Sequence, residues 1–291
     1  MLQEKKTGHE KTWLITGTSS GLGYALAKYV LERGDRVVMG SRTLDNMADL
    51  AKLYPEKALA IILDVTNVEQ RVAIVSQAEA RFGGIDVLVN NAGIDFLGAI
   101  EEQDERDYRA QFEVNFFGAV ALLRLVLPGM RRRKQGTIVN VSSMDGIASL
   151  PVNGYYSSTK FALEGLTESL WQEIEPLGLR AFLVEPGSFR TGIELRTKFS
   201  GETIEDYSAT SGAFRAMADK VTPEMFPGDP DRFAAAVYEI VASNSTRHWV
   251  VLGSDAMRRI GAKLDMLRAE FEAGKDMAVS TDYPGAGPAI L

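Results

Sequence analysis

Tyr156 and Lys160 stand four residues apart in Tyr156-Ser157-Ser158-Thr159-Lys160, a spacing that puts a phenol and an ammonium on one helix face, one turn apart. Such a pair can exchange a proton with a substrate oxygen, because a neighbouring cation favours the phenolate. An isolated phenol titrates near 10, so service near pH 7 requires a shift of about 3 units, or roughly 4 kcal/mol. A tyrosine and a lysine at this spacing are as readily a surface pair, and other residues must decide between the two.

A second group works through backbone. Thr16-Gly17-Thr18-Ser19-Ser20-Gly21-Leu22-Gly23 joins an apolar run to a helical stretch. Glycines there let amides approach a pyrophosphate, and a helix N-terminus adds partial positive charge. A tight turn without a ligand is the competing reading.

Other chemistries drop out. The chain has no cysteine, which excludes disulfides, thiolate metal sites and cysteine nucleophiles. His9 and His248 are far apart and lack a carboxylate cluster, so they read as surface or packing residues and no metal is expected. A formal charge of −7 argues against a nucleic-acid partner. The basic run Arg131-Arg132-Arg133-Lys134 reads as cations closing a helix C-terminus. Residues 1–11 are polar and no run of about 18 apolar residues follows, so no membrane association and a cytoplasmic location are expected.

The elements that must position these residues alternate. Short β-branched runs are expected as strands at Thr12 to Thr16, Arg36 to Gly40, Ala58 to Leu63, Ile85 to Asn90, Gly136 to Ser142, Leu179 to Glu185 and Arg247 to Leu252. Helical spacing fills Leu22 to Arg33, Val68 to Phe82, Glu105 to Arg133 and Tyr156 to Glu175, with Gly34, Gly83 and Gly178 as terminators. The pattern predicts the α/β class: a single Rossmann-type doubly wound domain over residues 12–253, a seven-stranded parallel sheet flanked by helices on both faces. Residues 1–11 are expected as a flexible tail and 192–228 as a mobile helical insertion rich in Phe and Met. Residues 254–291 are expected as a helical extension, with helical spacing from Met257 to Phe271 and a frayed end from Thr281.

TGTSSGLG resembles the TGxxxGxG turn of the short-chain dehydrogenase/reductase family, and further motifs of that family follow in order over about residues 12 to 252. Ser143, 13 residues before Tyr156 at the end of the fifth strand, matches the family's catalytic serine, which selects Tyr156 over Tyr155 and Ser143 over Ser142. Asn115 matches the fourth catalytic position. The resemblance implies an NADP-dependent oxidoreductase interconverting a ketone or aldehyde and an alcohol. Hydride goes to or from carbon, Tyr156 handles the proton, and Ser143 polarises the carbonyl. Lys160, helped by the oxidised nicotinamide's positive charge, is placed to favour the phenolate, and the resemblance implies that it reaches the nicotinamide ribose and that Asn115 holds a water linking Lys160 to solvent.

For the cofactor, the resemblance implies contacts at Gly17, Ser19, Ser20, Gly21, Leu22 and Gly23, with Tyr156 and Lys160 at the nicotinamide end. Ser41 stands where an NAD-preferring site carries an acid, and Arg42 beside it suits a 2′-phosphate, so NADP is the expected cofactor. Asp64 and Val65 are implied to meet the adenine, although Asp64 also reads as a helix cap. Asn91, Ala92 and Gly93 of the NNAG segment lie beside the cofactor, with Asn90 the stronger functional candidate of the two asparagines. Pro186, Gly187 and Thr191 are implied to contact the nicotinamide carboxamide.

A lyase or epimerase on the same scaffold is disfavoured, because the extended-branch TGxxGxxG is absent and Lys160 is present. A non-catalytic NADPH sensor is disfavoured by the complete set of Asn115, Ser143, Tyr156 and Lys160. The partner expected is a small-molecule substrate, a medium-sized apolar carbonyl or alcohol under the insertion, though its apolar residues could equally seal the core edge. Assembly is expected as a homodimer through the helices 105–133 and 156–175, or as a homotetramer.

Overall fold

The computed structural model describes residues 10–192, 197–218, 220–243 and 245–287. Most of the expected N-terminal tail, His9 and the last four residues lie outside these.

Seven parallel strands form one sheet in the order β3-β2-β1-β4-β6-β7-β9. They are β1 (Thr12–Thr16), β2 (Arg36–Ser41), β3 (Ala58–Ile62), β4 (Val87–Asn90), β6 (Thr137–Val141), β7 (Arg180–Pro186) and β9 (Trp249–Leu252). A separate two-stranded ribbon pairs β5 (Phe96–Leu97) with β8 (Lys198–Phe199).

The inner strands carry apolar centres because both their faces are covered. Successive side chains point to opposite faces, so Trp13, Ile15, Val37, Met39, Val89, Val139 and Phe182 fill one core while Leu14, Val38, Leu88, Ile138 and Leu183 fill the other. Register makes the first set continuous: Ile15 faces Met39 and Val89, Val89 faces Val139, and Val139 faces Phe182. Leu26 and Val30 of α1 (Gly21–Glu32) and Phe233 and Val237 of α8 (Pro230–Ala242) close that core. Ile74 of α3 (Val68–Phe82), Leu122 and Val126 of α5 (Gly118–Arg133), and Leu170 of α6 (Gly154–Ile174) close the second. Met47 of the short α2 (Asp45–Leu53) tucks under the first.

The helix expected over Glu105 to Arg133 is helical throughout, but α4 (Glu105–Phe112) and α5 are joined by a π-helical turn at Glu113–Phe117. By length and composition it could cross a bilayer, which a search for unbroken apolar runs overlooks. Its Leu122, Leu123, Val126 and Met130 pack into the second core. Arg131, Arg132 and Arg133 occupy its last turn, where Arg133 donates to the Ile85 carbonyl at 2.5 Å. His248 stacks on Trp171 with ring centroids 4.3 Å apart, and the described residues hold no cluster that could bind a metal.

The described part of the insertion contains β8, a π-helical turn at Ser208–Gly212 and α7 (Ala213–Ala218). Glu102 anchors it: the carboxylate receives Ser211 Oγ, Ile204 N at 3.1 Å and Ala99 N at 3.0 Å, with Arg215 at 3.6 Å. Burial alone would raise this carboxyl, yet those hydrogen bonds and the Arg215 charge hold it below its ordinary value. The ribbon β5-β8 ties the insertion to the segment that follows β4, and Phe199 meets Phe214 edge-on within the insertion, ring centroids 6.4 Å apart. After β9 the chain forms α9 (Ser254–Ala273), which begins before the expected Met257, and α10 (Lys275–Val279).

Candidate active site

Strand order reverses between β1 and β4, and in open α/β sheets ligands bind at the carboxyl ends of strands beside such a reversal. Gly17 has φ +72°, and a Cβ there would lie 2.9 Å from Ala92 Cα, so no other residue fits without displacing backbone. Gly23 is equally confined, since a Cβ would meet the Asn91 amide and the Gly17 carbonyl. The turn is held from β4: Asn91 Nδ2 donates to Thr16 O at 2.8 Å, and the amides of Asn91 and Ala92 both donate to Thr16 Oγ1, at 3.0 and 2.9 Å. A glycine-lined turn leading into the twelve-residue α1 has the shape and polarity that a dinucleotide pyrophosphate requires.

Ser41 is buried at the end of β2 and Arg42 is exposed beside it. Asp64 does not cap α3; Asn67 does, by accepting Gln70 N at 2.9 Å. Asp64 instead accepts Thr66 N at 2.9 Å and Thr66 Oγ1 at 2.7 Å, which shapes the turn, while the Val65 carbonyl accepts Arg71 Nη1 at 2.6 Å. Asn90, the asparagine favoured on sequence, turns into the sheet: its Nδ2 donates to Asn140 Oδ1 at 2.8 Å, and Asn140 donates to Thr167 Oγ1 at 2.8 Å. It braces β4 to β6 and α6, and Asn91 is the one that touches the glycine turn. Pro186 ends β7, and Gly187 N donates to Leu252 O at 2.8 Å. Gly187 leads into Ser188 to Thr191, where the Ser188 carbonyl and Arg190 amide pair with Gly228.

The catalytic candidates converge from three elements. Ser143 follows β6, Tyr156 and Lys160 lie in the first two turns of α6, and Asn115 sits in the π-helical turn, a distortion that often marks functional positions. A Cβ at Gly93 would lie 3.4 Å from Asn115 Oδ1 and 3.9 Å from Lys160 Nζ, so this glycine keeps open the space those groups share. Asn115 is fully engaged: Oδ1 accepts Ile94 N at 2.8 Å, and Nδ2 donates to Ile94 O at 2.9 Å and Thr159 Oγ1 at 3.1 Å. Lys160 Nζ lies 5.5 Å from the centre of the Tyr156 ring and donates to the Val141 carbonyl at 2.9 Å.

Burial and charge act together on the groups around Tyr156. The Tyr156 phenol is pushed above its ordinary value, first by burial and then by the carboxylates Asp95 and Asp145, against its hydrogen bond with Ser143. Burial lowers Lys160 to about 8, opposed by Glu164, Asp95 and Asp145. Burial, then Asp145, raises Asp95 to about 7. A lysine one helical turn away does not by itself produce a phenol near 7, because desolvation disfavours both charges and the two acids oppose a phenolate. Neither Asp95, beyond the NNAG segment, nor Asp145, inside the Ser143 to Tyr156 interval, carried a sequence signal other than its charge. Two further buried acids back the site. Glu164 is raised to about 7 and Glu185 to about 8, each chiefly by burial.

Residues 11–200 match the short chain dehydrogenase family. An oxidoreductase of Botryotinia fuckeliana is 32% identical over 272 residues, covering 93% of this chain and 99% of that protein. A 3-ketodihydrosphingosine reductase of Bacteroides thetaiotaomicron is 35% identical over 230 residues, covering 79% of this chain and 82% of its own. The crystal structure of a short-chain dehydrogenase from Streptomyces avermitilis superposes with a TM-score of 0.88 at 38% identity, covering 94% of this chain and 100% of that one. Two structures at 24% identity share the fold. One is an alcohol dehydrogenase from Thermococcus sibiricus complexed with 5-hydroxy-NADP (TM-score 0.69, 84% of this chain, 96% of that one). The other is a 3-ketoacyl-(acyl-carrier-protein) reductase from Brucella melitensis complexed with NADH (TM-score 0.70, 83% and 95%).

Proposed function

From the premise that the chain belongs to the short-chain dehydrogenase/reductase family and is an oxidoreductase, we propose that it reduces the carbonyl of a medium-sized, largely apolar substrate with NADPH. The observation that carries this reading is the grouping of Ser143, hydrogen-bonded with the Tyr156 phenol, and Lys160, 5.5 Å from that ring, near a turn where a Cβ at Gly17 or Gly23 would collide with neighbouring atoms.

Bound reduced nicotinamide supplies the hydride. Tyr156 delivers the proton to the carbonyl oxygen, and a phenol held above its ordinary value is fully protonated at neutral pH, which suits an acid in the reducing direction. Ser143 hydrogen-bonds the same oxygen and holds it against the phenol. Lys160, which would also hold the nicotinamide ribose hydroxyls, favours the phenolate left after transfer. Asn115 holds the loop at Ile94 and keeps Thr159 in place beside Lys160, and it is the proposed anchor for the water of a proton relay. Gly17, Ser19, Ser20, Gly21, Leu22 and Gly23 hold the pyrophosphate, and Asp64 and Val65 bound the adenine. Arg42 pairs with the 2′-phosphate, with buried Ser41 offering no carboxylate to repel it. Pro186, Gly187 and Thr191 hold the carboxamide.

An apolar substrate is supported by the Phe199–Phe214 pair in the insertion, whose strand Lys198–Phe199 pairs with the segment after β4, and by the similarity to a 3-ketodihydrosphingosine reductase. Half-exposed Phe117 and Phe161 mark the helix face proposed for a homodimer. NADPH oxidation across chemically diverse carbonyls tests the proposal. Turnover should favour bulky apolar ketones and vanish in Tyr156→Phe, whereas equal rates on small charged keto acids would refute the substrate class.

A further inference from the structure

The helix that follows the last strand reaches back into the site. In its first turn Asp255 accepts Ser188 N at 2.8 Å, fastening the segment after β7. One turn on, Arg259 Nε donates to Ala148 O at 2.8 Å and Arg259 Nη2 pairs with Asp145 Oδ1. Both side chains are largely buried, 20% and 10% exposed. Asp145 is in turn bonded twice to Ser143: its amide donates to Oγ at 3.1 Å, and Oγ donates to Oδ2 at 3.2 Å. An unbroken set of contacts therefore runs from α9, beyond the matched family region, to the serine beside Tyr156.

Asp145 is an awkward neighbour for this chemistry. A carboxylate that accepts the Ser143 proton competes with a carbonyl for it, and its charge opposes a phenolate. A guanidinium on the opposite carboxylate oxygen weakens both effects, because it shares the negative charge and fixes the carboxylate plane. The charged groups facing the phenol are Asp95 after β4, Asp145 after β6 and Lys160 in α6, with Glu164 a turn further along that helix facing Lys160. Arg259 is the cation that pairs directly with either of the two acids beside Tyr156 among the described residues.

We infer that Arg259 is a positioning residue for the reaction: through Asp145 it orients the Ser143 hydroxyl and offsets a carboxylate that would otherwise suppress the Tyr156 phenolate. This rests on the oxidoreductase reading of the site.

The test is the pH profile of alcohol oxidation, the direction that needs phenolate, measured on the full chain with NADP from about pH 6 to pH 10. Arg259→Gln should lower kcat about 10-fold near neutrality and move the alkaline rise up by about one unit, with the KM for NADP nearly unchanged. Arg259→Lys should recover part of the rate. Adding Asp145→Asn to Arg259→Gln should restore the wild-type profile, since both charges then leave together. If Arg259→Gln does not fold, Arg259→Lys with and without Asp145→Asn carries the same comparison. A profile that stays in place while only thermal stability falls would overturn the inference, as would additive effects in the double variant. If the unaltered chain turned over no carbonyl or alcohol, the oxidoreductase reading itself would fall, an outcome distinct from an active parent with indifferent Arg259 variants.

Discussion

The two ends of the active cleft are built from different materials. At the glycine turn the groups aimed at a ligand are amides, carbonyls and hydroxyls, and the neighbouring contacts are neutral hydrogen bonds from Asn91 and Ala92 to Thr16 and Gly17. At the substrate end, Asp95, Tyr156, Lys160, Glu164 and Glu185 all have proton affinities displaced by burial. In the proposed reaction the first end would bind chiefly through backbone shape, with Arg42 its one charged contact, and the second would carry the proton chemistry, where each neighbouring charge counts.

The largest effect that should separate the two ends comes from Tyr156→Phe, which is expected to lower kcat about 10³-fold while the Kd for NADPH, measured by fluorescence titration, stays within about 2-fold. Gly17→Val is the converse: its φ of +72° and the 2.9 Å approach to Ala92 Cα should weaken NADPH by about 100-fold in the same titration. A strong loss of NADPH affinity in Tyr156→Phe would erase the distinction.

Glu185 sharpens the comparison through stability. Its carboxyl, at about 8 in the folded chain against an ordinary 4.5, holds a proton that the unfolded chain has released. Stability contributed by that proton is therefore present below about pH 4.5 and lost as pH rises towards 8. Glu185→Gln should remove this slope, and denaturant unfolding should find the variant more stable than wild type at pH 8 by on the order of 2 kcal/mol. Identical slopes would show that this buried acid does not titrate as described. The smallest effect is Asn90→Ala, which breaks the bond to Asn140 and should cost about 1–2 kcal/mol in the same measurement with little change in NADPH affinity.

The neutral end was also the more legible in the sequence. Glycine spacing and strand alternation act over short distances, so β1, β2 and β3 to within a residue, and a seven-stranded parallel sheet, could be read from the residues, whereas the order of the strands could not. Four further features could not. The two-residue strands Phe96–Leu97 and Lys198–Phe199 are too short to show a period. The π-helical turn at Asn115 leaves helical spacing almost intact, and the distinct duties of Asn90 and Asn91 depend on which way a strand faces. The charge balance around Tyr156 joins Asp95, Asp145 and Arg259, three residues with no spacing rule between them.

The hydroxyl of Thr16 has one more consequence. By receiving two amides from the end of β4 and donating to Val89 O at 3.4 Å, it rivets the neighbouring strand ends together, so the crevice between them has a fixed gauge. A nucleotide entering such a slot waits for no closing movement there, and its capture should follow a single exponential whose rate climbs linearly with concentration.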